Sequence, residues 1–206
     1  MTRSKSSGSW LRRHVSDPYV KLAQKEGYRS RSAYKLIELN AKDRLLRPGQ
    51  WVLDLGSAPG GWSQVAARAV GAKGRVLATD ILPMDSIRGV DFIQGDFTSD
   101  EVVGQIKDWL EGEKFDLIIS DIAPNLSGID SADQARSIYF LELALDTVRL
   151  ALKVGAAFIA KMFQGQGSDE YVKELRKSFR KVSIRKPKAS RPESREVYIV
   201  AKDFKG

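Results

Sequence analysis

The 206-residue chain has no cysteine and a single histidine, His14. Without thiols there can be no disulfide, no thiolate zinc or iron–sulfur site and no cysteine nucleophile. One imidazole in a polar, basic segment gives little support for a Ser–His–Asp triad or a histidine-based metal centre, and no metal site is visible. Long apolar runs are missing too. Nothing approaches the length of a bilayer span, and the opening residues MTRSKSSGS contain no apolar core of a signal peptide. A cytoplasmic protein without membrane contact is expected, with a monomer as the default state. Its chemistry must come from Lys, Asp, Glu, Ser or Tyr, or from a bound cofactor.

Charge, by contrast, is abundant and unevenly spread. Residues 1–47 carry 12 basic and 4 acidic side chains, residues 48–172 carry 10 and 18, and residues 173–206 carry 12 and 4. The net +8 of the whole chain therefore comes from two basic ends flanking an acidic middle. Such ends suit a large polyanion. The length allows one sizeable core, so a single domain is expected: a basic N-terminal extension with two helices (1–47) and a catalytic domain (48–206).

Residues 1–16 are small, polar and basic, with Trp10 and Leu11 as their large apolar pair. Asp17-Pro18 is a helix start, and the helix runs to about Glu26 before Gly27. A second helix is expected from Ser32 to about Lys42, with Pro48-Gly49 ending the segment. Strands and helices then alternate: strands at Trp51–Leu55, Arg75–Asp80, Val90–Ile93, Phe115–Ser120 and Ala156–Lys161. The helices between and after them cover about Gly60–Val70, Ser99–Leu110, Asp133–Leu152 and Asp169–Phe179. Two closing strands, Lys181–Lys186 and Glu196–Ala201, have no helix between them. The pattern predicts an α/β fold of Rossmann-like type: a mostly parallel sheet, helices on both faces and an antiparallel hairpin at one edge.

Open sheets of this kind bind ligands at the carboxyl ends of their strands. The turn after the first strand reads Asp54-Leu55-Gly56-Ser57-Ala58-Pro59-Gly60-Gly61-Trp62. Its glycine spacing is not the G-x-G-x-x-G of dinucleotide sites, and no G-K-[S/T] follows as in a P-loop. A carboxylate at Asp54 suits the ammonium-bearing end of S-adenosylmethionine. Asp80 closes the second strand, where ribose hydroxyls bind, and Asp96 follows the third, where an adenine amino group would lie. Asp121 ends the fourth strand and Lys161 the fifth. A strand-end lysine can merely reach water, yet adjacent strand ends bring these two within a few ångströms of each other, as proton handling requires.

With these residues the chain resembles the FtsJ/RrmJ family of large-subunit ribosomal RNA ribose 2′-O-methyltransferases, from about Trp10 to Ala201. The stretches that carry the resemblance are RSRSAYKL (29–36), DLGSAPGGWSQ (54–64), SDIAPN (120–125), KMFQG (161–165) and SREVYIVA (194–201). The resemblance implies a seven-stranded sheet with six strands parallel and one antiparallel, and S-adenosyl-L-methionine as cofactor, leaving as S-adenosyl-L-homocysteine. It implies a catalytic tetrad at Lys35, Asp121, Lys161 and Glu196. Cofactor contacts fall at Gly60, Trp62, Asp80, Asp96 and Asp121, beside Asp54 and Gly56 of the same turn. It also implies a uridine ribose of 23S rRNA, in the loop that receives aminoacyl-tRNA, with the assembled large ribosomal subunit as substrate.

Two absences favour ribose oxygen over a base as acceptor. Asp121-Ile122-Ala123-Pro124 is not the D/N-P-P-Y/F of adenine-amine methylation, and C5 methylation of pyrimidines commonly needs a cysteine. Lys161 would contact the 2′-oxygen, either as its base or as the cation that stabilises it. RNA contacts are expected at Arg12, Arg13, Lys21, Lys25, Arg29 and Arg31, leading to Lys35, and at Lys186, Lys188, Arg191 and Arg195, leading to Glu196. The alternatives are a tRNA ribose methyltransferase of the same family and an RNA-binding ribosome-assembly factor without catalysis. A nicotinamide-dependent dehydrogenase fits neither the glycine spacing nor the basic ends.

Overall fold

The structure, a computed structural model, describes residues 17–123 and 130–206. Arg12, Arg13 and the Pro124-Asn125 end of SDIAPN lie outside the described residues. Helix α1 (Pro18–Glu26) starts as the local sequence dictates: the Asp17 carboxylate accepts from the Tyr19 N–H at 3.0 Å, and Gly27 ends it at φ 72°. Helix α2 (Ala33–Asp43) ends within a residue of the expected Lys42, ahead of Pro48-Gly49. Arg44 turns left-handed at φ 51°, and the Asn40 carboxamide accepts from Leu45 and Leu46 N–H at 2.9 and 2.8 Å. A side-chain cap, not a proline, terminates it.

The alternating part follows as β1 (Trp51–Leu55), α3 (Gly61–Val70), β2 (Arg75–Asp80), β3 (Asp91–Gln94), α4 (Asp100–Leu110), β4 (Phe115–Ser120), α5 (Asp130–Ala151), β5 (Leu152–Phe163), α6 (Ser168–Ser178), β6 (Phe179–Arg185) and β7 (Glu196–Phe204). The two largest departures from the sequence reading adjoin. Helix α5 begins at Asp130 and yields Leu152 to β5. Strand β5 pairs Leu152 with Phe115, then shifts register so that Ala157 meets Leu117. The intervening residues include exposed Val154 and Gly155 at φ 81°, so hydrophobic alternation is lost and the first part of the strand is masked.

The seven strands lie in the order β3-β2-β1-β4-β5-β7-β6. Strand β7 is antiparallel to both β5 and β6, which leaves six strands parallel and one reversed. The hairpin sits at the edge as expected, but its second strand is inserted inward and β6 forms the rim. Side chains alternate across the sheet. Val52, Val76, Leu117, Ile119, Ile159, Tyr198 and Val200 face α2 and α3, where Leu36 and Trp62 are buried against them. Leu53, Leu77, Ile118, Phe158, Met162 and Ile199 face α4, α5 and α6. Each fully buried Leu or Phe contributes about 1.5–3 kcal/mol relative to exposure, so both helical layers are fixed by the strand pattern. Helix α1 is held more lightly, through Ala23, Tyr34 and Ala189.

Candidate active site

The strand order reverses between β1 and β4, so the chain leaves these neighbours in opposite directions and opens a crevice at their carboxyl ends. The glycine-rich turn forms one wall. Gly56 has φ 69°, and a Cβ there would lie 2.1 Å from Cγ1 of Ile122, just after β4. The two loops therefore touch in a way only glycine permits. Gly60, at φ 105°, precedes α3, and Ala58-Pro59 is a cis peptide.

Asp54, 1% exposed, accepts from the Ser63 hydroxyl through Oδ2 at 2.6 Å. Its Oδ1 is buried with no hydrogen-bond partner among the described residues. Burial pushes its carboxyl up to about 7; the hydrogen bonds from Ser63 oppose this, while Asp121 and Asp80 add to it. Asp80 is oriented by main-chain donors, Leu82 N–H on Oδ1 at 2.8 Å and Ala58 N–H on Oδ2 at 2.9 Å. The exposed apolar side chains Ile81 and Leu82 follow it directly. Asp96 is exposed, and its Oδ1 holds Thr98 through N–H and hydroxyl at 2.9 and 2.7 Å. The Trp62 indole turns away into the core, donating to the Ser32 carbonyl at 2.8 Å and lying 5.6 Å from the Tyr198 ring. Its main-chain N–H, in the first turn of α3, is the part of Trp62 suited to a ligand.

Strand register assembles the second wall. Lys161 on β5 is opposite Tyr198 on β7, and Phe163 is opposite Glu196, so Lys161, Tyr198 and Glu196 share the face covered by α2. Lys161 Nζ lies 3.1 Å from Asp121 Oδ1 and donates to the Asp121 carbonyl at 2.7 Å. From α2, Lys35 Nζ meets Glu196 Oε1 at 2.7 Å. Burial works against the Glu196 charge, but Lys35, the Ser190 hydroxyl and Lys161 outweigh it and hold the carboxyl below its usual value. All four residues of the expected tetrad are thus brought together as two ion pairs, with both lysines buried.

Tyr198 joins the pairs. Its hydroxyl donates to Asp121 Oδ1 at 2.7 Å, and Lys35 Nζ lies 5.5 Å from its ring centroid. Burial, then the Asp121 and Glu196 charges, raise its phenol well above the ordinary value, so it is a hydrogen-bond donor at neutral pH. The sequence reading missed it because a strand tyrosine two residues from a charged position looks like core. Its only signal was membership of the SREVYIVA stretch.

The basic residues fall into two groups. Lys21, Lys25, Lys188 and Arg195 are exposed, and Arg195 makes a loose pair with Asp130 at 3.3 Å. Lys186 donates to the carbonyls of Ser194 and Glu196, the latter at 2.9 Å, and Arg191 lies 3.9 Å from Asp17. Arg29 and Arg31 are committed internally. Arg31 pairs with Asp17 at 2.8 Å and donates to the Ala189 carbonyl. Arg29 donates to the carbonyls of Pro59, Asp85 and Ser86 at 3.2, 2.7 and 2.8 Å. Among the described residues no helix is long and apolar enough to cross a membrane, and no His/Asp/Glu group is arranged to hold a metal ion.

A doubly wound sheet with this strand order, one reversed strand and a glycine turn at the switch point is a Rossmann-like methyltransferase fold. The model of the FtsJ-like methyltransferases matches residues 28–204, and the chain belongs to that family. Ribosomal RNA large subunit methyltransferase E of Stutzerimonas stutzeri is 66% identical over 206 residues, covering 100% of both chains. The protein of the same name from Marinobacter nauticus is 62% identical, covering 100% of this chain and 99% of its own. Among solved structures, a ribosomal RNA methyltransferase from Plasmodium falciparum superposes with a TM-score of 0.79 at 33% identity, covering 87% of this chain and 100% of that one.

Proposed function

We propose that the chain transfers a methyl group from S-adenosyl-L-methionine to a ribose 2′-hydroxyl of RNA. The observation that carries this reading is the pair of buried ion pairs, Lys161–Asp121 and Lys35–Glu196, bridged by Tyr198 beside the glycine turn. The residues present fit the methyl donor. Asp54 keeps a buried oxygen without a partner among the described residues, suited to a cationic amino group directly or through water. Asp80 is held by main-chain donors with lone pairs to spare for ribose hydroxyls, and Ile81 and Leu82 offer apolar cover next to it. Asp96 and the main chain at Gly60 and Trp62 complete the contacts.

The sulfonium supplies an electrophilic methyl group, so the protein's task is to align a weak oxygen nucleophile and stabilise the charge it develops. Lys161 has two of its N–H directions committed to Asp121 and would present the third to the 2′-oxygen, stabilising its developing charge while the hydroxyl proton leaves to solvent water. Asp121 fixes that ammonium, and Tyr198 fixes Asp121. Lys35 and Glu196 set the local charge and place the ribose. Lys21, Lys25, Lys186, Lys188, Arg191 and Arg195 follow the phosphate backbone, so that residues 1–47 and the basic loop form the RNA surface and residues 48–206 the catalytic domain.

The names of the relatives support large-subunit rRNA as substrate. The family resemblance narrows it to a uridine in the aminoacyl-tRNA-receiving loop of the assembled subunit, with the protein acting as a cytoplasmic monomer. The test supplies methyl-labelled donor with undermethylated large subunits, free rRNA or tRNA, followed by alkaline digestion. Label in an alkali-resistant dinucleotide from subunits is the expected result, because a methylated 2′-oxygen cannot attack its phosphate. Label from tRNA alone would change the substrate and keep the chemistry. Label in mononucleotides, or none at all, would overturn the reading.

A further inference from the structure

We infer that Arg29 is a positioning residue of the methyl-donor site rather than an RNA contact; the inference rests on the donor occupying the glycine-turn crevice. Arg29 lies in the linker between α1 and α2, which is seated on the first turns of α3. The Gln64 carboxamide brackets that linker, accepting from Arg29 N–H at 2.8 Å and donating to the Gly27 carbonyl at 3.0 Å. A Cβ on Gly61 would sit 2.2 Å from Ser30 Oγ, so the linker is in contact with the turn itself. From this base the guanidinium spans two loops. Nη1 donates to Pro59 in the glycine turn and to Asp85, and Nη2 donates to Ser86.

Pro59 precedes Gly60, and Asp85 and Ser86 lie in the segment that follows Asp80. That segment is folded onto the turn: a Cβ on Gly60 would meet Ile87 Cδ1 at 2.5 Å and Met84 Sδ at 2.9 Å. Arg29 is therefore the fork that fastens the loop after the ribose-binding carboxylate to the loop that approaches the donor's other end. A planar guanidinium with five donors can hold three carbonyls at fixed angles; an ammonium of equal charge cannot. With three of its five donors on protein carbonyls, Arg29 can turn only the remaining two toward a phosphate.

The test measures binding of S-adenosyl-L-homocysteine by calorimetry, RNA affinity against salt, and Tm, for full-length wild type, Arg29→Ala and Arg29→Lys. Both variants should bind S-adenosyl-L-homocysteine about tenfold or more weakly, since hydrogen bonds to a charged group are among the stronger ones. They should raise the KM for donor more than they lower kcat, and leave the salt dependence of RNA binding as in wild type. Arg29→Lys keeps the charge and the fold, with a Tm near that of wild type, so its loss of affinity isolates the fork. Unchanged S-adenosyl-L-homocysteine affinity in Arg29→Ala, with a salt slope shallower by about 0.7, the value of one single-strand phosphate contact, would overturn the inference. So would full rescue by Arg29→Lys. Failure of the wild type to bind S-adenosyl-L-homocysteine would instead bring down the functional reading, and this inference with it.

Discussion

Lys161 and Asp54 are proposed to have different tasks and should fail in different ways. Lys161→Ala removes the cation proposed to face the 2′-oxygen and should lower kcat by about 10²–10⁴, the usual range for a group handling charge or a proton in the transition state. Calorimetry should find S-adenosyl-L-homocysteine binding nearly intact; comparable turnover by the variant would refute the assignment. Asp54 acts through its buried carboxyl, held near 7. A cationic amino group bound beside it favours the charged form, so donor affinity should fall as pH drops through about 7, and Asp54→Asn should flatten that profile. Stability runs the other way. The folded state keeps the proton to higher pH than the unfolded chain, so the Asp54 contribution is full below about 4 and is lost as pH rises through about 7. Tm against pH for wild type and Asp54→Asn checks the sign.

At the scale of elements, much of the architecture is legible because buried parallel strands are short apolar runs with polar ends. Strands β1, β2 and β4 run as read, residue for residue. What was not legible depended on distant partners. The start of β5 is set by a register shift against Phe115 that leaves no hydrophobic period. Lys35 on α2 reads as a surface lysine until Glu196 arrives from the other end of the chain. Helix α1 shows a similar dependence, since Asp17 both caps it and pairs with Arg31, whose guanidinium reaches Ala189. Asp17→Ala should therefore cost about 1–2 kcal/mol, the usual range for a lost N-cap, seen as a Tm lower by a few degrees. A Tm equal to wild type would mean that α1 is held by its apolar contacts alone.

Across the whole molecule, the two basic ends are tied into one surface. Glu38 on α2 accepts from Lys188 and Ala189 N–H at 2.6 and 2.9 Å, and Asp17 lies between Arg31 and Arg191. Charges remote in sequence are thus brought onto one surface, where the proposed RNA contacts would act together. Neutralising Lys21, Lys25, Lys188 and Arg195 should make the log–log salt slope of RNA binding shallower by about 3, taking about 0.7 per phosphate contact on a single strand. Filter binding at several salt concentrations measures it, and an unchanged slope would place the RNA elsewhere. The reversed strand carries a last consequence. Strand β7 follows the other described strands in sequence but lies sixth in the sheet, and it brings both Glu196 and Tyr198. The constellation proposed for catalysis is therefore complete only when β7 lies between β5 and β6, so displacing that one strand would take two members of the site away together.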